Sequence, residues 1–141
     1  MDLPKVISLL HRKMNTELNT RLRKIGLSNA KSVLLKHLYN YGEMTQADLC
    51  RELELLDKST IAKALTRLEG NGLIKKQVNP DDTRSFLVSL TPKADQIIPK
   101  TQEILLGWTE DVTSGMTETE KELFFKLLND VTHQAASICN K

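Results

Sequence analysis

Asp57-Lys58-Ser59-Thr60-Ile61-Ala62-Lys63-Ala64-Leu65-Thr66-Arg67-Leu68-Glu69-Gly70-Asn71-Gly72 decides the fold. Asp57 is a helix cap, because its carboxylate can accept from backbone N–H groups that a helix start leaves unbonded. Ile61, Ala64, Leu65 and Leu68 recur at helical spacing and form a face to bury. Lys58, Ser59, Thr60, Lys63, Thr66 and Arg67 are left on or beside the open face. The Gly70-Asn71-Gly72 break ends the helix.

The flanks complete a motif. Upstream, Thr45-Gln46-Ala47-Asp48 opens a short helix with Leu49, Cys50 and Leu53 on one side. Downstream, Leu73 to Val78 reads as a strand and Asn79-Pro80-Asp81-Asp82-Thr83 as a turn. Phe86, Val88 and Leu90 then alternate as in a half-buried strand. Short helix, turn, second helix and hairpin is the order of a winged helix-turn-helix. That motif needs a brace helix and a second helix with small polar and basic residues for base edges. It also needs a cation at the hairpin tip. Arg84 supplies the last.

Long helices are expected on both sides. Val6, Leu10, Met14, Leu18, Leu22 and Ile25 form one apolar stripe, stopped by Gly26. Ser28 can cap a second helix carrying Val33, Leu34, Leu38 and Tyr39. Thr91-Pro92 reads as a cap with proline at the first helical position. The helix that follows runs through Ile97, Ile98, Ile104, Leu105, Trp108 and Val112, and Pro99 should kink it. Thr117 and Glu120 form a capping box opening a sixth helix with Leu123, Phe124, Leu127, Leu128, Val131 and Ile138. The predicted class is mainly α with a small β-hairpin wing.

The chain resembles the MarR family of regulators. The resemblance rests on Thr45-Gln46-Ala47-Asp48-Leu49, Asp57-Lys58-Ser59-Thr60, Leu68-Glu69-Gly70-Asn71-Gly72-Leu73-Ile74 and the wing run Asp82 to Thr91. Two positions depart from the family pattern. Ala94 stands where a glycine is usual, and Ser85 where many members carry a second arginine.

The resemblance implies a homodimer in which the first, fifth and sixth helices interlock, and an operator with two half-sites. It implies that Arg84 enters the minor groove while Asp82 orients it or a basic side chain of the fourth helix. It further implies a small-molecule site where the dimer helices meet the winged helix. His11 and Met14 of the first helix and His37 and Tyr39 of the second fall there, which suits an aromatic or anionic effector. The expected division is one protomer over 1–141, with a DNA-binding region over 28–91 and dimerisation helices over 1–27 and 92–141. The function expected is a sequence-specific regulator of transcription, a repressor released by its effector. The alternative is a winged-helix interaction module that lacks specific DNA binding.

Bulk properties set the bounds. The 141 residues suit one protomer, with 40% hydrophobic and 27% charged residues. No apolar run approaches the roughly 20 residues of a membrane span, and Met1-Asp2-Leu3-Pro4 does not begin a signal peptide. A net charge of +2 is too small to argue nucleic-acid binding by itself. Lysines and arginines dominate residues 1–36, as on a solvated helix face, whereas the stretch after Thr101 is acidic. Cys50 and Cys139 make no disulfide framework, so a reducing cytoplasm is expected. Cys50 is expected to be buried and inert in the brace helix. His11, His37 and His133 lie on separate helices without metal-ligand spacing. With no phosphate-binding glycine loop and no nucleophile constellation, neither an enzyme nor a cofactor is expected.

Overall fold

Asp2 starts the first helix of the computed structural model, which describes residues 1–140. Its carboxylate accepts from the Lys5 N–H, and a proline occupies the first turn of α1 (Leu3–Arg23). α1 ends at Gly26, whose φ of 77° places it in the left-handed region. The Leu27 N–H reaches back to the Leu22 carbonyl and the Gly26 N–H to that of Arg23. This is a Schellman closure, with Leu22 and Leu27 buried together. Ser28 then caps α2 (Asn29–Tyr41). The Asn29 backbone N–H donates to Asn19 Oδ1, and its side-chain amide to Asn15 Oδ1, each at 2.7 Å.

A two-residue strand β1 (Met44–Thr45) precedes α3 (Gln46–Glu52), and α4 spans Lys58–Gly70. β2 (Ile74–Asn79) and β3 (Asp82–Leu90) form the hairpin, with a register shift at Val78/Asn79. The antiparallel sheet has the order β1-β3-β2, with Met44 opposite Val88. The expected lone hairpin is thus a three-stranded sheet. β1 is too short for alternation to reveal it.

Ile61, Ala64, Leu65 and Leu68 of α4 are buried as its pattern requires. They share a core with Leu22, Leu34, Leu35, Leu49, Ile74 and Val88. α4 ends by the device that ends α1: Gly72 has φ 76°, and the Leu73 N–H donates to the Leu68 carbonyl.

Several expectations change. Leu35 belongs to the core, whereas Tyr39 and Phe86 are exposed. Burial on α2 follows the side facing α4, which lies one residue round from the expected stripe. Cys50 is only partly buried, because the wing does not close over that side of α3. α5 (Ala94–Val112) begins two residues after Pro92, not at it, and holds the exposed Pro99 inside it as its sequence pattern requires. Thr91 does not cap it: its hydroxyl donates to the Gly72 carbonyl and its N–H to the Leu73 carbonyl. Lys93 Nζ donates to the Asn71 carbonyl at 2.6 Å. The segment leading into α5 is therefore fastened to the segment that leaves α4.

The chain divides into two compact units, Met1–Leu105 and the stretch from Leu106 onward. The second holds the last residues of α5 and α6 (Glu118–Cys139), opened by the Thr117/Glu120 capping box. No residue of α6 is buried. Leu123, Phe125, Leu127, Leu128, Val131 and Ile138 are each 45–60% exposed.

Helix starts carry the lowered carboxylate pKa values. Hydrogen bonds from Arg51 and Thr45 hold Asp48 below its usual 3.8, and Thr60 does the same for Asp57. A carboxylate depressed by folding contributes stability above its unfolded pKa, and that stability is lost as pH falls through the folded one. Thermal midpoints should therefore fall below about pH 4, and Asp48→Asn should flatten that fall. Thr45→Ala should cost about 1 kcal/mol at neutral pH. A midpoint for Asp48→Asn that tracks the unaltered chain from pH 5 to pH 2.5 would contradict the assignment.

Candidate nucleic-acid interface

The helix cap places the recognition residues. Asp57 accepts from the Thr60 N–H at 2.7 Å and fixes where α4 begins. Lys58, Ser59, Lys63, Thr66 and Arg67 are exposed, and Thr60 is partly buried. Among the described residues no ion pair engages Lys58, Lys63 or Arg67. The Thr66 hydroxyl donates to the Ala62 carbonyl, so only its lone pairs remain for a ligand.

The wing is stiffened at its tip. Asn79 Oδ1 accepts from the Asp81 N–H, and Asn79 Nδ2 donates to Ser85 Oγ, which donates in turn to the Asp82 carbonyl. Ser85 thus serves as a stitch where many family members carry an arginine. Of the two roles open to Asp82, the geometry has it hold Arg84, whose N–H and Nε both donate to Oδ1. The Arg84 side chain is 90% exposed, and its terminal guanidinium nitrogens are free of the pair.

Two clefts flank α4. One, of about 580 Å³, takes Gln46, Ala47, Cys50 and Arg51 of α3, Lys58 of α4, and Arg84 and Phe86 of the wing. The other, of about 200 Å³, takes Ser28 and Lys31 at the start of α2 with Thr60, Lys63 and Arg67. The sequence signalled Lys58, Lys63, Arg67 and Arg84 but not Gln46, Arg51 or Lys31. Those three join the surface only because α2 and α3 pack beside α4, and no local spacing marks them.

The four effector-site candidates have separate surroundings. His11 is exposed and bonded to Asn15, and Met14 is partly buried. His37 Nε2 lies 3.1 Å from Glu52 Oε1, and its ring centroid is 4.7 Å from that of Tyr41. A cavity beside His37 is completed by Val33, Lys36, Asn40 and Leu53, without His11, Met14 or Tyr39.

The model of the MarR family matches residues 27–86, which hold α2, α3, α4, β1, β2 and the start of β3. A MarR transcriptional regulator from Methanosarcina mazei superposes with a TM-score of 0.87 at 25% identity, covering 96% of this chain and 97% of that one. Residues 27–86 thus match the MarR family, and the chain has the fold of MarR regulators. Among relatives of this chain is the HTH-type transcriptional regulator BilQ of Clostridioides difficile. It is 26% identical, over 78% of this chain and 74% of that one. The uncharacterized HTH-type transcriptional regulator YdgJ of Bacillus subtilis is 25% identical over 73% of this chain, and the match spans 62% of the length of YdgJ. At the level of fold, an Escherichia coli MarR variant solved with operator DNA matches with a TM-score of 0.79 at 23% identity, covering 93% of this chain and 94% of that one. An organohalide-sensing regulator solved with 2,4-dichlorophenol matches at 0.79 and 22%, over 94% of this chain and 78% of its own. No described helix of this chain is long and apolar enough to cross a membrane.

Proposed function

We propose that this chain is a homodimeric, sequence-specific duplex-DNA-binding regulator of transcription, a repressor released by a small aromatic or anionic effector. One observation carries the reading. The open face of α4 carries cations with no carboxylate of the described residues at ion-pair distance, beside a wing whose Arg84 is presented on a stitched tip. A helix of that kind matches the major groove in width, and phosphates supply the missing counter-charges. The relatives named as transcriptional regulators agree with it. The reading is of a binding protein, not an enzyme, and it works where the chromosome lies, in the cytoplasm.

Residues 28–91 do the reading, and 1–27 with 92–141 join two copies. Support for the joining role comes from unpartnered apolar surface. Val6, Ile7, Leu9 and Leu10 of α1 are about half exposed, as is the apolar set of α6. A two-fold assembly presents two α4 helices, so its site is pseudo-palindromic, with half-sites about 10 base pairs apart between centres or a multiple of that. Selection from random duplexes should recover such a site. Recovery of no enriched sequence would refute the proposal.

His11, Met14, His37 and Tyr39 are the proposed effector contacts. An effector acts by preferring one spacing of the two α4 helices. A coupling of about 1–3 kcal/mol changes DNA affinity roughly 5- to 150-fold, and operator must weaken effector binding by the same factor. Calorimetry of aromatic acids with and without operator tests this, and equal affinities would remove the switch.

A further inference from the structure

We infer that Asn79 and Ser85 are positioning residues: they hold Arg84 in place before any DNA arrives, on a bulge that the backbone ladder of the hairpin does not secure. This role rests on the DNA-binding reading above and adds to it a device for presenting one side chain. β2 and β3 pair in steady register from Ile74 opposite Leu90 to Val78 opposite Phe86. Continued in step, Asn79 would face Ser85, but it faces Asp82 instead. β3 therefore carries three extra residues, Thr83, Arg84 and Ser85, with no facing residue on β2 among the described ones. A bulge of this kind interrupts the ladder and re-aims a side chain. Arg84 is the residue at its centre.

A bulge without ladder bonds samples many conformations, and ordering it on contact would weaken binding. Side chains take over the missing bonds. Asn79 Oδ1 accepts from the Asp81 N–H at 3.0 Å, and Asn79 Nδ2 donates across the hairpin to Ser85 Oγ at 3.1 Å. Ser85 Oγ donates in turn to the Asp82 carbonyl at 3.1 Å, which ties the end of the bulge to its start. One hydroxyl thus accepts and donates at once, which threonine can imitate and alanine cannot. The Arg84 N–H donates to Asp82 Oδ1 at 3.1 Å, and Arg84 Nε reaches the same oxygen at 3.3 Å. Backbone and side chain of Arg84 share one anchor, and the backbone of that anchor is held by Ser85. Asn79 and Ser85 are partly buried, whereas Thr83 and Arg84 are exposed. The packed residues of the tip do the holding, and the exposed cation is what they hold.

Two measurements on the full-length chain test this role: backbone amide relaxation without DNA, and affinity for a duplex selected by the unaltered chain. Ser85→Ala and Asn79→Ala should lower the order parameters of Thr83, Arg84 and Ser85 from about 0.85 toward 0.6 or less. The rest of the sheet should keep its values. Duplex affinity should fall roughly 5- to 30-fold per wing, the cost of ordering about one residue. The slope of log affinity against log salt should not change, because Arg84 is still there to make its contact. Ser85→Thr keeps the hydroxyl and should restore both readings. In an Arg84→Ala background, Ser85→Ala should cost little further affinity, since the side chain it positions is gone.

Enrichment of no duplex by the unaltered chain would sink the DNA-binding reading, and the positioning role with it. Three results would overturn the positioning role alone. One is a bulge as ordered in Ser85→Ala as in the unaltered chain. Another is unchanged duplex affinity in both Ser85→Ala and Asn79→Ala. The third is an equal loss from Ser85→Ala with and without the Arg84 side chain, which would make the stitch a general support of the wing.

Discussion

Leu128→Asp is expected to abolish the dimer and, with it, the folded state and DNA binding. Leu128 is 47% exposed on α6, a helix with no buried residue. In the proposed homodimer this face is covered by the partner. A carboxylate there is removed from water without a counter-ion, at a cost of about 3 kcal/mol or more. Two-fold symmetry repeats the substitution in both copies. A loss of roughly 6 kcal/mol raises a dissociation constant more than 10⁴-fold. Folding is coupled to this association, because α6 buries nothing by itself. Sedimentation should show the unaltered chain as a dimer, and circular dichroism should show the variant losing helix. A dimeric variant with unchanged melting would remove this face of α6 from the interface. A well-folded monomer would separate folding from association.

Arg84→Glu should have the largest effect of any single substitution on the DNA surface. The Arg84 side chain is almost fully exposed, so the fold does not depend on it. The substitution removes a cation from the wing and places a second carboxylate beside Asp82. Losing a groove or phosphate contact costs about 1–3 kcal/mol. Two wings per dimer bring the expected loss to roughly 2–6 kcal/mol, or about 30-fold to 10⁴-fold in affinity. Arg84→Ala should show the milder loss and a smaller salt slope. The melting temperature should not change for either. Wild-type affinity in a folded Arg84→Glu dimer would take the wing out of the mechanism.

What the sequence made legible was what a few neighbouring residues determine. Asp57 with Thr60, Thr45 with Asp48 and Thr117 with Glu120 are local bonds, and each forms where its spacing predicts. The buried side of α4 was readable because Ile61, Ala64, Leu65 and Leu68 leave only one face apolar. Tertiary packing decided the rest. β1 exists because Met44 and Thr45 find Val88 and Leu87 across a long loop of sequence. Thr91 looked like a cap, yet its hydroxyl turns to Gly72, because the end of α4 offers a carbonyl there. Lys31 gave no sign of its place beside Arg67, since 36 positions separate them and only the packing of α2 on α4 joins them.

The fastening between the segment that leaves α4 and the one that enters α5 has a mechanical consequence. Thr91 contributes two bonds to it and Lys93 a third, all ending on Asn71, Gly72 or Leu73. A joint made that way is stiff against sliding and transmits rotation. Ala94 and Ile98 are buried just beyond it, so this part of α5 cannot roll without carrying its neighbours. The beginning of α5 is then a crank for the recognition helix: a tilt of a few degrees at one end becomes a displacement at the other. In the proposed homodimer, a change in the crank's angle would alter the gap between the two α4 helices without deforming the surface that faces DNA.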